Sequence, residues 1–272
     1  MSDALSRRAF AFDSVETRAP GHAIALADEA ARAGVPLVVA VGGDGTLNEV
    51  VNGVAPLRES HPVTVGAVMT GRGRDACRNL GLRRDPRRAV QRLVDGDIVS
   101  RDLGLAVWPG GRRFFIAAAG VGFDALVVRR AGTRGGRLRY LAAVVRSLRE
   151  YRPGLVVVDG PAGESWTGAA ASVIVCNGPC LGGGMRIAPG ARIDDGLLDV
   201  VVLGGLGRIA LAAWLPTVFW GGHLANRKIR TWRAPAFAVR TAGASPVQLD
   251  GELVGSPPLD IIAQPSALQL IV

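Results

Sequence analysis

The stretch that decides the fold is Leu-Val-Val-Ala-Val-Gly-Gly-Asp-Gly-Thr-Leu-Asn-Glu-Val-Val-Asn-Gly, residues 37–53. Its apolar residues 37–41 predict a strand buried on both faces. The glycine turn that follows carries almost no side-chain bulk, and apolar residues then recur at helical spacing, so we expect a helix to begin near Thr46 or Leu47. A strand, a glycine turn and a helix direct free backbone N–H groups at an anion, which predicts a phosphate-binding turn.

Asp44 is unexpected in a phosphate-binding turn. A carboxylate repels a phosphate unless it binds a metal ion, a water held by that metal, or a ribose hydroxyl. The turn therefore suggests a nucleotide–metal site, although three glycines alone are typical of an ordinary strand–helix connection. It lacks the Gly-Lys-Ser/Thr of a Walker A loop and the G-x-G-x-x-G of a dinucleotide site.

A second glycine turn, Gly71 to Asp75, follows another apolar strand, residues 63–69. Alternating strands and helices predict a parallel α/β sheet, with both turns at its carboxyl edge, where ligands bind in such folds. Arg72 or Arg74 could contact phosphate as a planar, permanently charged fork. A solvated loop with exposed arginines explains the turn equally well.

After residue 97 the pattern changes to short apolar segments separated by turns. We therefore expect two domains, an α/β nucleotide-binding domain over 1–97 and a β-sandwich with a few inserted helices over 98–272, whose last strand could return to the first domain. More local expectations are a strand over 10–15, separate strands over 165–167 and 171–176, a helix over 207–225 that carries Pro216, and core packing in preference to lipid contact for Trp214, Phe219 and Trp220.

Composition restricts the class of protein. The 272 residues carry a net charge of +9, which suits nucleic acid, an anionic membrane surface or phosphorylated substrates. No arginine block alternates with aromatic residues, so nucleic acid is ranked last. Three cysteines without a C-x-x-C pair argue against a disulfide framework and zinc and favour a reducing cytoplasm. No apolar run reaches the roughly 18 residues that a membrane span needs.

Two acidic turns lie in the second half of the chain. Asp250 and Glu252 flank a glycine and could act as general base and as metal or orienting partner, although Asp-Gly is more simply a surface hairpin turn. Residues 191–199 could offer carboxylate and carbonyl oxygens to a hard cation. A hairpin turn is again the simpler interpretation.

Taken together and in order, these motifs resemble those of bacterial lipid kinases of the diacylglycerol kinase catalytic-domain family, relatives of the sphingosine kinases. The resemblance runs from about residue 17 to the end of the chain. Gly-Gly-Asp-Gly alone also occurs in NAD kinases and phosphofructokinases, whereas Asn-Glu-Val-Val-Asn-Gly after it points to the lipid kinases. The motifs are Gly42–Gly53, Gly120–Asp124, Gly182–Pro189, Asp194–Asp199 and Leu249–Glu252.

The resemblance implies an enzyme that uses ATP and Mg²⁺ to phosphorylate the hydroxyl of a diacylglycerol-like or sphingoid lipid, in a cleft between an α/β domain and a β-sandwich. Asp44 would belong to the magnesium–water network, and Asp250 or Glu252 would take the proton from the lipid hydroxyl. A structural Mg²⁺ would be bound by Asp195 and by backbone oxygens of Arg192 and Leu197. The nucleotide site would contain Thr17, Gly42, Gly43, Asp44, Gly45, Thr46, Leu47 and Asn48, and the second turn would add Gly71, Arg72 and Asp75.

Two features depart from the family pattern. The family opens with a strand and an Asn-Pro-x-x-Gly turn that this sequence does not contain, so we expect the first strand of the α/β sheet to be missing and an edge to be exposed. Arg74 stands where the family carries asparagine.

Two alternatives stay open: a catalytically impaired nucleotide- or lipid-binding relative, which the missing first strand favours, and a kinase of a soluble substrate such as NAD. The expected partners are ATP and a lipid substrate, with no nucleic acid. The expected location is the cytoplasm, peripheral to the inner face of the membrane. A homodimer is left open.

Overall fold

The computed structural model describes residues 11–71, 75–82, 85–132 and 137–272. The chain divides into two compact units, one formed by the chain up to Arg101 together with Ser266–Val272 and the other by Asp102–Pro265. The helices are α1 (His22–Arg32), α2 (Asp44–Val54), α3 (Asp75–Leu80), α4 (Pro86–Asp95), α5 (Phe123–Ala131), α6 (Arg137–Glu150) and α7 (Arg208–Trp214).

The strands are β1 (Leu37–Gly42), β2 (Thr64–Met69), β3 (Ile98–Trp108), β4 (Gly111–Phe115), β5 (Ala118–Gly122), β6 (Gly154–Asp159), β7 (Ser165–Cys176), β8 (Leu198–Gly204), β9 (Ile229–Ala234), β10 (Ala236–Thr241), β11 (Val247–Leu249), β12 (Glu252–Gly255) and β13 (Leu259–Ile271). Strands β3 and β13 have residues in both units.

The first unit is built on parallel strands. β1 pairs in parallel with β2 along its whole length, and β2 pairs in parallel with the end of β13, where Gln269 lies opposite Thr64. This confirms the predicted parallel α/β architecture. It also places the ends of β1 and β2, and the glycine turns that follow them, at one edge of the sheet.

Helices α1 and α2 approach closely because Gly53 has no side chain. A Cβ atom on Gly53 would lie 2.5 Å from the Ile24 carbonyl oxygen and 2.7 Å from the Ala27 Cβ. Ala27 is buried, and so are the alanines four residues before and after it, which form one face of α1. Small residues on both helices thus set the position of α2 and of the glycine turn at its start.

Two details of the predicted first motif are wrong. β1 is not buried on both faces, because it lies at the end of the described strand order and Val41 is 45% exposed. Helix α2 begins at Asp44 instead of Thr46 or Leu47. Gly43 has the extended conformation of an N-cap residue (φ −95°, ψ −174°), and its carbonyl accepts the first helical bond from Leu47 at 3.1 Å.

The strand predicted over 10–15 is also wrong for the described residues 11–15, which have irregular structure. A strand requires hydrogen bonds to a neighbouring strand, and these residues take part in none of the described strand pairs. Val15 is 68% exposed. Apolar residues in this short segment therefore do not indicate a strand.

The second unit is β-rich, which confirms the predicted fold class. Its strands follow the order β13, β10, β6, β7, β5, β11 and β12, with β8 and β9 joined to β7 and with β4 joined to β3. The pairs among β4 to β12, and those of β3 with β4 and of β10 with β13, are antiparallel. Along β8 the side chains of Leu198, Val200 and Val202 pack in one cluster and Val201 in another, so both faces of this strand are covered.

Three local expectations in the second unit are wrong. β7 is one continuous strand, because Gly168 remains extended and pairs with Val156 of β6. The helix predicted over 207–225 ends at Trp214 and continues as 3₁₀ turns, since Pro216 lacks the N–H that an α-helix needs. Phe219 and Trp220 are 54% and 64% exposed, so core packing is wrong for these two side chains.

The cysteines Cys77, Cys176 and Cys180 are buried and form no disulfide. Within the described parts of the chain, no helix is both long enough and apolar enough to cross a membrane.

Candidate active site

The two glycine turns of the first unit lie directly against each other. The backbone N–H groups of Thr70 and Gly71 donate to the Gly42 carbonyl at 2.8 and 3.2 Å. A Cβ atom on Gly71 would lie only 2.5 Å from the Gly43 Cα, so position 71 accommodates glycine alone without a backbone shift. The turns are neighbours, as their place after adjacent parallel strands predicts.

Packing within the chain requires glycine at position 42 but not at position 43. A Cβ atom on Gly42 would lie 2.5 Å from the Thr46 Oγ1, so glycine is needed there for packing. A Cβ atom on Gly43 would meet only the Gly71 Cα at an ordinary 3.6 Å, and its extended backbone suits any residue. The described structure therefore gives no internal reason for glycine at 43, which is consistent with space kept for a ligand.

The Asp44 carboxylate bridges the two turns. Its Oδ2 accepts a hydrogen bond from the backbone N–H of Asp75 at 3.3 Å. Asp44 opens α2 and Asp75 opens α3, so the carboxylate lies where exposed N–H groups favour negative charge. The Asp75 side chain pairs with Arg78 at 3.0 Å.

Glu49 fixes the start of α1, a role that the sequence reasoning missed. Its Oε1 accepts from the Gly21 N–H at 2.8 Å and its Oε2 from the Ala23 N–H at 3.1 Å. The helix begins after Gly21, which offers no side-chain cap of its own, so the carboxylate supplies the missing acceptor. A helix start without a capping side chain was the signal that could have indicated a remote partner.

The remaining nucleotide-site candidates occupy different environments. Leu47 is fully buried, so only its backbone could contact a nucleotide. Asn48 is buried and its carbonyl accepts from the Asn52 side chain at 2.9 Å, while Gly45 and Thr46 belong to the first turn of α2. Thr17 is exposed in the irregular segment before α1. Arg72 and Arg74 lie outside the described residues.

Asp250 occupies a hairpin turn, but its side chain is not directed at solvent. Asp250 and Gly251 both have positive φ, 48° and 87°, as two-residue hairpin turns require. The Asp250 Oδ2 accepts from the Ile116 N–H at 2.7 Å, and its Oδ1 accepts from Ala117 and Ala118 at 2.8 and 3.0 Å. This carboxylate therefore holds the bend between β4 and β5 against the hairpin.

Asn177 holds the same bend by donating to its backbone carbonyl groups. This residue is fully buried, and its Nδ2 donates to the carbonyls of Ile116 and Asp102 at 2.9 and 3.0 Å. Its backbone N–H donates to Ala117 at 2.8 Å. The sequence offered no periodicity that could have revealed this role, because the contacts join distant parts of the chain.

Glu252 is the other carboxylate of the hairpin, and it is half-buried, as Asp250 is. Its Oε2 lies 2.8 Å from the Arg113 Nη1, with the glutamate side chain 37% exposed and the arginine side chain 19% exposed. A carboxylate that pairs with a guanidinium through one oxygen keeps lone pairs for a further partner. Of the two carboxylates that the sequence left as alternatives, Asp250 thus bonds to backbone N–H groups and Glu252 pairs with an arginine side chain.

Asp124 is connected to this hairpin through the side chain of Gln248. Gln248 donates through Nε2 to the Asp124 Oδ2 at 3.1 Å and accepts through Oε1 from the Gly251 N–H at 2.7 Å. Gly120 is required here, because a Cβ atom would overlap the Asp124 carboxyl group. Asp124 and Gln248 thus form a hydrogen-bonded connection to the turn.

The pKa of the Asp124 carboxyl group is raised above its usual value. Burial raises its pKa, although hydrogen bonds from Ser172 and Gln248 oppose the shift. Ser172 Oγ is hydrogen-bonded to Asp124 Oδ1 and lies 3.0 Å from the Val121 carbonyl oxygen. A hydroxyl has one proton to donate, so an ionised Asp124 and the Val121 carbonyl compete for the proton of Ser172, whereas a protonated Asp124 leaves it to Val121.

Asp124→Asn is expected to be at least as stable as the wild type at pH 7, because an amide reproduces both hydrogen bonds without a charge. A pKa raised by folding contributes full stability below the unfolded-state pKa and progressively less as the pH rises towards the folded-state pKa. The advantage of the variant should therefore shrink towards pH 4. Thermal unfolding across this pH range measures it.

Asp124→Ala is the control, with an expected loss of about 1–3 kcal/mol because buried partners are left unsatisfied. An Asn variant that is clearly less stable than the wild type at pH 7 would show that Asp124 is ionised in the folded protein.

The predicted metal-binding turn contains an ion-paired cluster. Asp195 accepts from the Leu197 N–H at 3.1 Å and pairs with Arg233, whose Nε lies 3.2 Å from Asp199. Arg233 and Asp199 face each other across β8 and β9. Burial raises the pKa of Asp199, an effect that Arg233 opposes. The backbone is anchored by Asp102, which accepts from Gly196 at 2.7 Å.

These donors are compatible with Mg²⁺ in kind. Magnesium accepts one or two carboxylates and carbonyl oxygens and retains several waters, and the Asp195 carboxylate with the Arg192 and Leu197 carbonyls is such a set. Within the described ranges no three acidic, histidine or cysteine side chains converge on a metal position. The Arg233 guanidinium already neutralises Asp195, so it would compete with a cation.

Comparison with known proteins finds one family match in the first part of the chain and another in the second. The diacylglycerol kinase catalytic domain family matches residues 1–106, and the YegS C-terminal NAD kinase beta sandwich-like domain family matches residues 117–272. The diacylglycerol kinase of Mycobacterium tuberculosis (strain H37Rv) is 32% identical over 88% of this chain and 77% of its own length. That of Bacillus subtilis (strain 168) is 30% identical over 90% and 80%.

Solved structures show the same fold. A diacylglycerol kinase structure from Bacillus anthracis str. Sterne has a TM-score of 0.74 at 21% identity and covers 99% of this chain and 90% of that chain. Another structure from the same organism has a TM-score of 0.81 at 24% identity, with 99% and 91% coverage.

Together with this fold, the relatives of 30% identity and more place the protein in the lipid kinase class. The chain belongs to the diacylglycerol kinase family, as the matches over both of its parts show.

Proposed function

We propose that this protein is an ATP-dependent lipid kinase that transfers the γ-phosphoryl group to the hydroxyl of a diacylglycerol-like or sphingoid lipid. The observation that carries the proposal is the pair of touching glycine turns, with Asp44 bridging the starts of α2 and α3. Relatives that carry the name diacylglycerol kinase support the substrate class. Because such a substrate resides in a bilayer, the enzyme would act peripherally, on the cytoplasmic face where ATP is supplied.

The first unit would hold the nucleotide. Gly43 and the backbone N–H groups that begin α2 can approach the phosphates closely. Asp44 would orient water molecules around the Mg²⁺ ion that accompanies ATP, while the second turn, with Gly71 and Asp75, keeps the first in place. A magnesium ion bound to the phosphates neutralises charge in the metaphosphate-like transition state. Thr17 and Arg72 remain proposed contributors.

The second unit would supply the proton acceptor. The lipid hydroxyl oxygen forms a bond to the γ-phosphorus as the bond to the β-phosphate oxygen breaks, and ADP leaves with that oxygen. The hydroxyl proton passes to the Glu252 carboxylate, which the neighbouring Arg113 orients through their ion pair. Asp250 acts as a positioning residue, since its oxygens hold three backbone N–H groups of the β4–β5 bend.

We also propose a structural Mg²⁺ at Asp195, Arg192 and Leu197, bound in competition with Arg233. Arg233→Gln is expected to make thermal stability dependent on Mg²⁺, with a gain of about 1–3 kcal/mol at saturating metal. The wild type should respond less, because its guanidinium already occupies the Asp195 carboxylate. Thermal unfolding with Mg²⁺ and with chelator measures the effect.

The matched control is Asp195→Asn in the Arg233→Gln background, which should lose the response. If Mg²⁺ stabilised the wild type and Arg233→Gln equally, Arg233 would not compete with the metal. If Mg²⁺ stabilised neither protein, the proposed metal site would be wrong.

The proposed activity can be tested with purified protein, γ-labelled ATP, Mg²⁺ and separate substrates: a diacylglycerol, a sphingoid base and NAD. Labelled phospholipid from one of the lipids is the expected product. Labelled NADP without labelled lipid would instead identify a kinase of a soluble substrate. ATP binding without transfer to any of them would identify a catalytically impaired relative.

A further inference from the structure

An exposed apolar surface lies after α7, where the chain turns back towards β9. It consists of Phe219, Trp220 and Leu224, which are 54%, 64% and 38% exposed; we call these three residues the Trp220 surface. Large aromatic side chains are rarely exposed together without a binding role. The proposed reaction does not use any of the three.

The Trp220 surface is held in place by buried neighbours. Val218, immediately before it, is buried, and its carbonyl accepts from the Arg186 N–H at 2.7 Å. His223 is also buried, with its Nε2 3.0 Å from the Ile187 carbonyl oxygen. Trp220 itself folds over Gly222, where a Cβ atom would lie 2.5 Å from the indole Nε1. The aromatic side chains are therefore displayed by a fixed segment of backbone.

The charged residues of the segment that carries this surface have one sign. Between Asp199 and Asp250 the sequence contains no aspartate or glutamate. Arg186 is exposed on the segment that pairs with Val218, and Arg227 and Lys228 are exposed directly after the last 3₁₀ turn. An apolar centre with a cationic border complements an anionic bilayer, because tryptophan and phenylalanine enter the headgroup region while arginine and lysine contact acidic headgroups.

We propose that the Trp220 surface docks the protein onto an anionic lipid bilayer. The inference rests on the proposed function, since a kinase of a bilayer lipid must reach the membrane surface. A second copy of this chain fits less well. A two-fold interface brings the same patch together from both protomers, so cations at its border would face cations, and three apolar side chains fall well short of the roughly 800 Å² per partner of a stable interface.

The direct test is sedimentation with vesicles of phosphatidylcholine alone or mixed with phosphatidylglycerol. The wild type should bind the mixed vesicles, and the binding should weaken as salt is raised. The double variant Phe219→Ser, Trp220→Ser is expected to bind the mixed vesicles at least about tenfold more weakly, because it lacks the two apolar side chains whose transfer from water into the bilayer favours binding. The matched control is Leu155→Ser, which removes an equally exposed apolar side chain from β6.

Activity separates this inference from the proposed function. The double variant should phosphorylate a short-chain, water-dispersed diacylglycerol like the wild type and lose turnover only on vesicles. Vesicle binding by the double variant equal to that of the wild type would overturn the docking surface while leaving the kinase intact. A change in oligomeric state without a change in vesicle binding would assign the surface to a second copy and also overturn it. Vesicle binding that follows the prediction, without turnover on any lipid, would contradict the kinase proposal alone.

Discussion

Glu252→Gln is expected to lower the rate of lipid phosphorylation by about 10²–10⁴-fold, the usual contribution of a general base. The amide keeps the shape of the side chain but cannot accept the proton of the lipid hydroxyl. ATP binding should be unchanged, because the nucleotide contacts are assigned to the first unit. The loss of the partly exposed pair with Arg113 should cost less than about 1 kcal/mol of unfolding free energy. Steady-state kinetics, ATP titration and thermal unfolding give the three values.

Asp250→Asn is the informative comparison for Glu252→Gln. In the wild type, three backbone N–H groups donate to the Asp250 carboxylate, and an asparagine would turn its NH₂ group towards some of these donors. We therefore expect the unfolding free energy to fall by about 1–3 kcal/mol, together with a loss of activity. If Asp250→Asn abolished turnover without any change in stability while Glu252→Gln remained active, the roles of the two carboxylates would be reversed.

Gly43→Ala is expected to lower kcat/KM for ATP by about 100-fold, the effect of a misplacement near 1 Å at a reacting centre. The added methyl group would meet the chain only at 3.6 Å, from the Gly71 Cα, so the fold should retain its stability. In the proposed complex, however, the methyl group would enter the space of a phosphate. Isothermal titration with ATP and thermal unfolding test both parts.

Gly71→Ala is the matched control, with the methyl group added on the opposite side of the same contact. There the Cβ would lie 2.5 Å from the Gly43 Cα, so overpacking should cost about 1–3 kcal/mol of stability. The two alanines thus separate a loss of ligand space from a loss of packing. Wild-type ATP affinity in Gly43→Ala would contradict the phosphate-binding role of the turn.

The sequence was sufficient where one local pattern determines one element. The apolar strand followed by glycines predicted β1 and the turn, and the alternation of strands and helices predicted the parallel sheet. The start of α2 was misplaced because Gly43, Gly45 and their neighbours all tolerate an N-cap position, and hydrogen bonding decides between them. The exposure of Val41 depends on which strands neighbour β1, and periodicity does not contain that information.

The candidate site was predictable in its residue types but not in their roles. Asp-Gly correctly indicated a hairpin turn, yet nothing local shows that Asp250 faces the backbone of residues 116–118 or that Glu252 faces Arg113. Asn177 and Asp124 act across more than 60 residues of sequence in some of their contacts. The competition between Arg233 and a metal at Asp195 arises from the register of β8 and β9, which is likewise a property of the folded chain.

Transfer of phosphate from ATP to a lipid hydroxyl can be followed directly by phosphorus NMR of the purified protein with Mg²⁺, ATP and a dispersed diacylglycerol. We expect the γ-phosphate signal of ATP to decline while a phosphomonoester of the lipid and ADP appear in equal amounts, and we expect Glu252→Gln to suppress both products. ADP formed together with inorganic phosphate, or an unchanged ATP signal across diacylglycerol and sphingoid substrates despite bound ATP, would contradict the proposed transfer.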